Sequence, residues 1–187
     1  MISIIVTSIG YFDEHVVPLY QSFNKYGDFE FILVLGDEAS KKSRSELTNR
    51  GLAVATGDWL LVLDSDVRCE GDYSFINELP DDHLYGPEIH NMKMGRDIVW
   101  LNEPVILIPR SLYEEIGGFD ENFKTSMAFG GCDYSIRAKK AGWPVKHLDT
   151  PFVHLSAGTK MNITENHWDT RNANVKYICE KWDLREK

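Results

Sequence analysis

The sequence predicts an α/β fold, a Rossmann-type three-layer sandwich with a mostly parallel central sheet. Three observations carry that expectation. Short runs rich in apolar and β-branched side chains, at residues 2–7, 29–35 and 59–63, read as buried strands. Helical apolar spacing lies between them, at Val16, Tyr20 and Phe23 and again at Leu47, Gly51 and Val54. Strand, helix, strand, helix, strand in that order implies a parallel sheet covered on both faces.

Taken in order, residues 2–7 form the first strand, broken at Ser8-Ile9-Gly10. The helix that follows is expected to be capped near Asp13. The second strand ends at Gly36-Asp37, and a polar stretch with Lys41, Lys42 and Arg44 leads into the second helix, closed by Gly57. Trp59-Leu60-Leu61-Val62-Leu63 is the third strand, and Asp64-Ser65-Asp66 stands at its carboxyl end. Beyond it the pattern predicts a strand at 105–108 and a helix from Ser111, then the turn Gly117-Gly118-Phe119-Asp120. A helix over 133–141, short strands at 145–148 and 152–155, and an amphipathic helix over 165–184 complete the chain.

Composition narrows the function classes. With 43% hydrophobic and 12% aromatic residues among 187, the chain can bury a real core, which excludes disorder. A net charge of −9 and a pI near 5.1 argue against sequence-independent nucleic-acid binding, which needs a basic surface. Cys69, Cys132 and Cys179 are widely spaced and form no CxxC pair, so neither a disulfide framework nor a zinc site is expected. Residues 1–6 lack a basic n-region, and no stretch reaches the length of a membrane span. The expectation is a cytoplasmic chain with no transmembrane segment.

In open parallel sheets, ligands bind outside the carboxyl ends of the strands, where Asp64 and Asp66 fall. Two acids at i and i+2 on a rigid strand end can divide the work. One binds a hard divalent ion, Mn2+ or Mg2+, and the other accepts hydrogen bonds from sugar hydroxyls. Such an ion bridges carboxylates to phosphates and neutralises a diphosphate leaving group. The competing reading of the tripeptide alone is a polar turn after a buried strand.

The wider pattern resembles family 2 glycosyltransferases of the GT-A fold. The resemblance rests on Ile2-Ser3-Ile4-Ile5-Val6-Thr7-Ser8 and on the stretch from Asn49-Arg50-Gly51 to Leu63-Asp64-Ser65-Asp66. Gly117-Gly118-Phe119-Asp120-Glu121, Asp133-Tyr134-Ser135-Ile136-Arg137 and Ala141-Gly142-Trp143 then follow in the family's order, so that it covers roughly residues 1 to 155. With no internal repeat, low-complexity tract or linker, the sequence is expected to form a single domain over 1–187, with a donor half (1–100), an acceptor and catalytic half (101–160) and a helical extension (161–187). The resemblance implies transfer of a sugar from a nucleoside-diphosphate donor, most commonly a UDP-sugar, to a hydroxyl of a glycan, polysaccharide precursor or protein-linked glycan, with inversion.

By the same resemblance Thr7, Ser8 and Asp37 hold the base, Asp64 and Ser65 the nucleoside and its ribose, and Asp66 the metal. Asp133 would deprotonate the acceptor, and His154 would give a third metal contact. Three positions depart from the family. Thr48 stands where an Arg is common, leaving Arg44 for the phosphates; Gly36-Asp37-Glu38 replaces Asp-Asp-Gly; and Gly130-Gly131-Cys132-Asp133 keeps one acid of an expected pair. Read as residues, Asp133 is also a plausible helix cap and His154 a satisfied strand histidine. Lys160 stands as a loop cation for the diphosphate or a solvated surface residue, and Trp100 and Trp143 as sugar platforms or packing.

Other classes fit less well. A phosphatase with an aspartate nucleophile would carry its Asp-x-Asp on the first strand. A nucleotidyltransferase would carry a Gly-rich basic loop after that strand, which Ser8-Ile9-Gly10-Tyr11 is not. A non-catalytic nucleotide-sugar-binding module stays open, although Asp64, Asp66 and Asp133 together favour catalysis.

Overall fold

Alternation along β1 (Ile2–Ile9) sends Ile2, Ile4 and Val6 to one face of a sheet and Ile5 to the other. The computed structural model describes residues 1–9, 12–36, 43–87, 101, 104–123, 129–155 and 166–184. β1 lies between β2 (Glu30–Gly36) and β3 (Trp59–Asp64), both parallel to it. β3 divides in the same way, with Trp59, Leu61 and Leu63 on one face and Leu60 and Val62 on the other. Both faces are covered, so the strand reads as an unbroken apolar run.

The sheet continues through β6 (Val105–Pro109), antiparallel to β3, then β5 (Leu84–Gly86) and β7 (Val145–His147), in the order β2-β1-β3-β6-β5-β7. One face packs on α1 (Val17–Phe23) through Leu19 and Phe23. The other packs on α2 (Arg44–Val54), α3 (Arg110–Ile116) and α4 (Gly130–Lys140), through Leu52, Leu112, Tyr134 and Ala138. A third cluster joins α4 to α5 (Asn166–Trp182), where Phe129, Cys132 and Ile136 enclose Ile178. The mixed α/β architecture and mostly parallel sheet agree with the expectation.

Several local expectations change. Asp13 caps no α-helix: residues Phe12–Val16 form a π-helical turn, and α1 starts at Val17 with Pro18 in its first turn. Pro18 has no N–H to give a helical bond, so it suits only a helix start. Tyr20 and Val54, expected on buried faces, are 43% and 63% exposed. α4 begins at Gly130, three residues before the expected start, so its N-cap is Phe129 and Asp133 lies within the first turn. Two short strands, β4 (Val67–Cys69) and β5, were not predicted, nor was the 3-10 helix Ser74–Glu78.

Two of the motif segments touch. Asn49 on α2 donates from Nδ2 to the Phe119 carbonyl at 2.8 Å, and its Oδ1 accepts from the Phe119 N–H at 2.7 Å. Gly118 lies so close that a Cβ there would meet Asn49 Oδ1 at 2.3 Å. The asparagine thus acts as a strand-like partner for a turn that has none of its own. Asn49→Ala is expected to cost about 2 kcal/mol of unfolding free energy in a urea melt, because both Phe119 backbone groups lose their partner.

Candidate functional site

Apolar burial holds β3 rigid up to Leu63, and the chain turns at the next residue. In the parallel register Thr7 pairs with Asp64, so both lie at one level of the sheet's carboxyl edge. Thr7 and Ser8 end the same edge on β1 and are 8% and 3% exposed. Asp37 follows the last residue of β2 and lies outside the described residues.

Arg44, the first residue of α2, sends Nε to Asp64 Oδ1 at 2.7 Å, and both side chains are mostly covered. It contacts Asp64 directly, which the sequence had not indicated. After Asp64, the turn through Ser65 and Asp66 enters β4, which pairs antiparallel with β8 (Phe152–His154). Val67 faces His154 in that register, and the Leu155 N–H donates to the Asp66 carbonyl at 3.0 Å. This small ladder brings His154 Nε2 to 3.2 Å from Asp66 Oδ1.

One ligand atom from each of Asp64, Asp66 and His154 lies within 4.8 Å of the others. Two carboxylates and one imidazole form a donor set for a divalent ion, and the nitrogen favours Mn2+ over Mg2+. Asp66 is 7% exposed, which would be a costly place for an uncompensated charge. Its carboxylate meets the His154 imidazole at 3.2 Å. The hydrogen bond with Asp66 raises the His154 pKa above its usual value, against the opposing effect of burial, and the charges of Asp66 and Asp64 add to the rise. Ser65 lies between the two acids and is partly exposed.

Asp133 has a different environment. It is fully buried. Its Oδ2 accepts from Arg137 Nε at 3.0 Å, and its Oδ1 takes Trp182 Nε1 at 2.8 Å and Lys181 Nζ at 2.7 Å. Arg137 also donates to the carbonyls of Ile116 and Gly118, at 2.9 and 2.6 Å. The carboxylate therefore fastens α5 and the Gly117-Gly118 turn to α4. It caps nothing, and to meet an acceptor it would have to be uncovered. Asp133 and Arg137 stand at i and i+4, a pair visible in the sequence; their partners on α5 were not.

Lys181 also reaches Asp120 Oδ2 at 2.6 Å, and Tyr177 donates to the same oxygen at 2.8 Å. Burial pushes the Asp120 pKa up, but the bonds from Lys181, the Asn122 N–H and Tyr177 outweigh it and bring the value down to about 2. A depressed carboxylate adds stability that is present above its unfolded pKa, about 3.9, and is lost as the pH falls through the folded value. Asp120→Asn is therefore expected to flatten the acid limb of a stability profile between pH 4 and 2 by about 2 kcal/mol. Urea melts at stepped pH check this.

Of the other residues singled out, Trp143 packs against the core while donating to Glu115 at 2.8 Å. Lys160 and Trp100 lie outside the described residues. No helix among the described residues is long and apolar enough to cross a membrane.

No protein-family profile matches the chain, and no curated protein matches it in sequence. Solved structures do match in fold. A mutant of Drosophila β1,4-galactosyltransferase 7, in complex with manganese, UDP-galactose and xylobiose, superposes with a TM-score of 0.62 at 17% identity, over 91% of this chain and 79% of that one. The mannosyltransferase PcManGT from Pyrobaculum calidifontis, with GDP-mannose and Mn2+, gives 0.62 at 16% identity, over 100% of this chain and 65% of that one. TarS from S. aureus gives 0.58 at 14% identity, over 95% and 65%. The chain has a GT-A-like glycosyltransferase fold.

Proposed function

We propose that the chain is a metal-dependent glycosyltransferase that moves a sugar from a nucleoside-diphosphate donor to an acceptor hydroxyl. The carrying observation is the Asp64, Asp66 and His154 cluster at the carboxyl edge of a GT-A-like sheet. Structures of the same fold hold manganese with UDP-galactose, and Mn2+ with GDP-mannose.

Asp66 and His154 would hold the ion, and Asp64 beside them would accept from the ribose. A bound Mn2+ would supply positive charge against the diphosphate leaving group. Arg44 holds the Asp64 carboxylate in place and offers a fixed cation to the phosphates from the start of α2. Thr7, Ser8 and Asp37 line the base. A UDP-sugar is the favoured donor, with a glycan, polysaccharide precursor or protein-linked glycan as acceptor. Asp133 is the base for an inverting transfer, a role that requires Lys181 and Trp182 to leave its carboxylate.

The burial of Asp133 favours a second reading, in which the donor is bound but not transferred. A release assay separates the two. Incubation with a panel of nucleotide sugars, Mn2+ and mixed glycan acceptors is expected to free one nucleoside diphosphate, and EDTA to stop it. Tight binding without acceptor-dependent release would instead favour the binding module.

A further inference from the structure

Arg68 has no part in the roles above, yet its guanidinium touches the backbone that carries the metal ligands. Nη1 donates to the Val67 carbonyl at 2.7 Å and, at the longer distance of 3.4 Å, to the Ser65 carbonyl. Nη2 reaches the Glu14 carbonyl at 3.3 Å, in the π-helical turn that follows β1. We infer that Arg68 is a positioning residue for the metal-ligating turn, holding the carbonyls of Ser65 and Val67, the residues before and after Asp66, so that the Asp66 carboxylate meets Asp64 and His154. The inference rests on the metal reading given above.

The Asp66 carbonyl receives the Leu155 N–H at 3.0 Å. β3 ends at Asp64 and β4 begins at Val67, so Ser65 and Asp66 form the turn between two ladders. Rotation of that turn would swing the Asp66 carboxylate away from Asp64 and His154. Arg68 opposes this from the flank, because its planar fork carries several donors at fixed angles and stays charged at any working pH. The third contact, to Glu14, couples the turn to the segment after Thr7 and Ser8. Groups that orient ligands in this way typically change metal affinity ten- to a hundredfold when removed.

Arg110 provides an internal control. It also donates to two carbonyls, Gly57 at 2.7 Å and Ala55 at 2.9 Å, but beside the opposite end of β3. Mn2+ alone is the probe, its affinity for the whole chain read by electron paramagnetic resonance, with a urea melt of each variant. Arg68→Met is expected to weaken Mn2+ binding about tenfold or more. Arg68→Lys, which restores one donor without the fork, is expected to be about threefold weaker than the parent. Arg110→Met should lower the urea midpoint and leave Mn2+ affinity unchanged. Parental affinity in Arg68→Met, or an equal loss in Arg110→Met, overturns the positioning role. Where Arg68→Met does not fold, Arg68→Lys decides: the threefold loss supports the role and parental affinity overturns it. A parent chain that binds no Mn2+ overturns the metal reading itself, and this role with it.

Discussion

Asp66→Ala is expected to abolish Mn2+-dependent binding of a nucleoside diphosphate, weakening it more than about a hundredfold, while the chain stays folded. The Asp66 carboxylate is one of two anionic donors in the cluster and the one nearest His154. Its backbone carbonyl, which receives Leu155, survives the change. The pair with His154 is part-exposed and contributes about 1 kcal/mol or less to folding. Titration calorimetry with Mn2+ present, alongside a urea melt, separates the two effects. Undiminished binding would remove Asp66 from the site; loss of binding together with unfolding would mean that the turn, and not the ligand, had been destroyed.

Asp133→Ala is expected to lower the unfolding free energy by about 3–5 kcal/mol, the largest stability effect anticipated here. The substitution strands the Arg137 Nε, the Trp182 indole N–H and one contact of Lys181 around a buried hole. Removing one member of a buried charged cluster costs far more than the cluster's net contribution, because its partners stay desolvated. Asp133→Asn keeps the shape and one acceptor oxygen, and so distinguishes anchor from base. As an anchor alone, Asp133 would show a lowered urea midpoint in the Asn variant and unchanged turnover in the surviving folded protein. As the base, it would show turnover falling about 100- to 10,000-fold with donor affinity retained.

The parts of the fold that were legible in the sequence are those buried on both sides. β1 and β3 feed two cores at once, so their apolar side chains fall on both faces and the runs announce themselves. Asp64 and Asp66 stood out because they interrupt such a run at an edge where ligands bind. β4 and β8 escaped as a pair for the opposite reason: they have three residues each, and Val67 and His154 meet only through a distant return of the chain. No local period encodes that contact, and His154 was reached through the resemblance rather than from its surroundings. The anchoring of Asp133 likewise depends on Lys181 and Trp182, which the sequence places only on a later helix. Val54 was misjudged because the buried face of α2 runs through Thr48, Gly51 and Leu52 to Ala55, which leaves Val54 turned outward at 63% exposure.

Thermal unfolding of the whole chain against a panel of nucleoside diphosphates, each with Mn2+ or with EDTA, tests the central claim most directly. A ligand that binds only the folded state at a hundred times its Kd adds about 2.7 kcal/mol, a shift of several degrees for a domain of this size. One base should raise the midpoint with Mn2+ present and leave it unmoved in EDTA, and Asp66→Ala should erase the shift. No shift with any nucleotide, or an equal shift in EDTA, would contradict a donor site built on Asp64, Asp66 and His154.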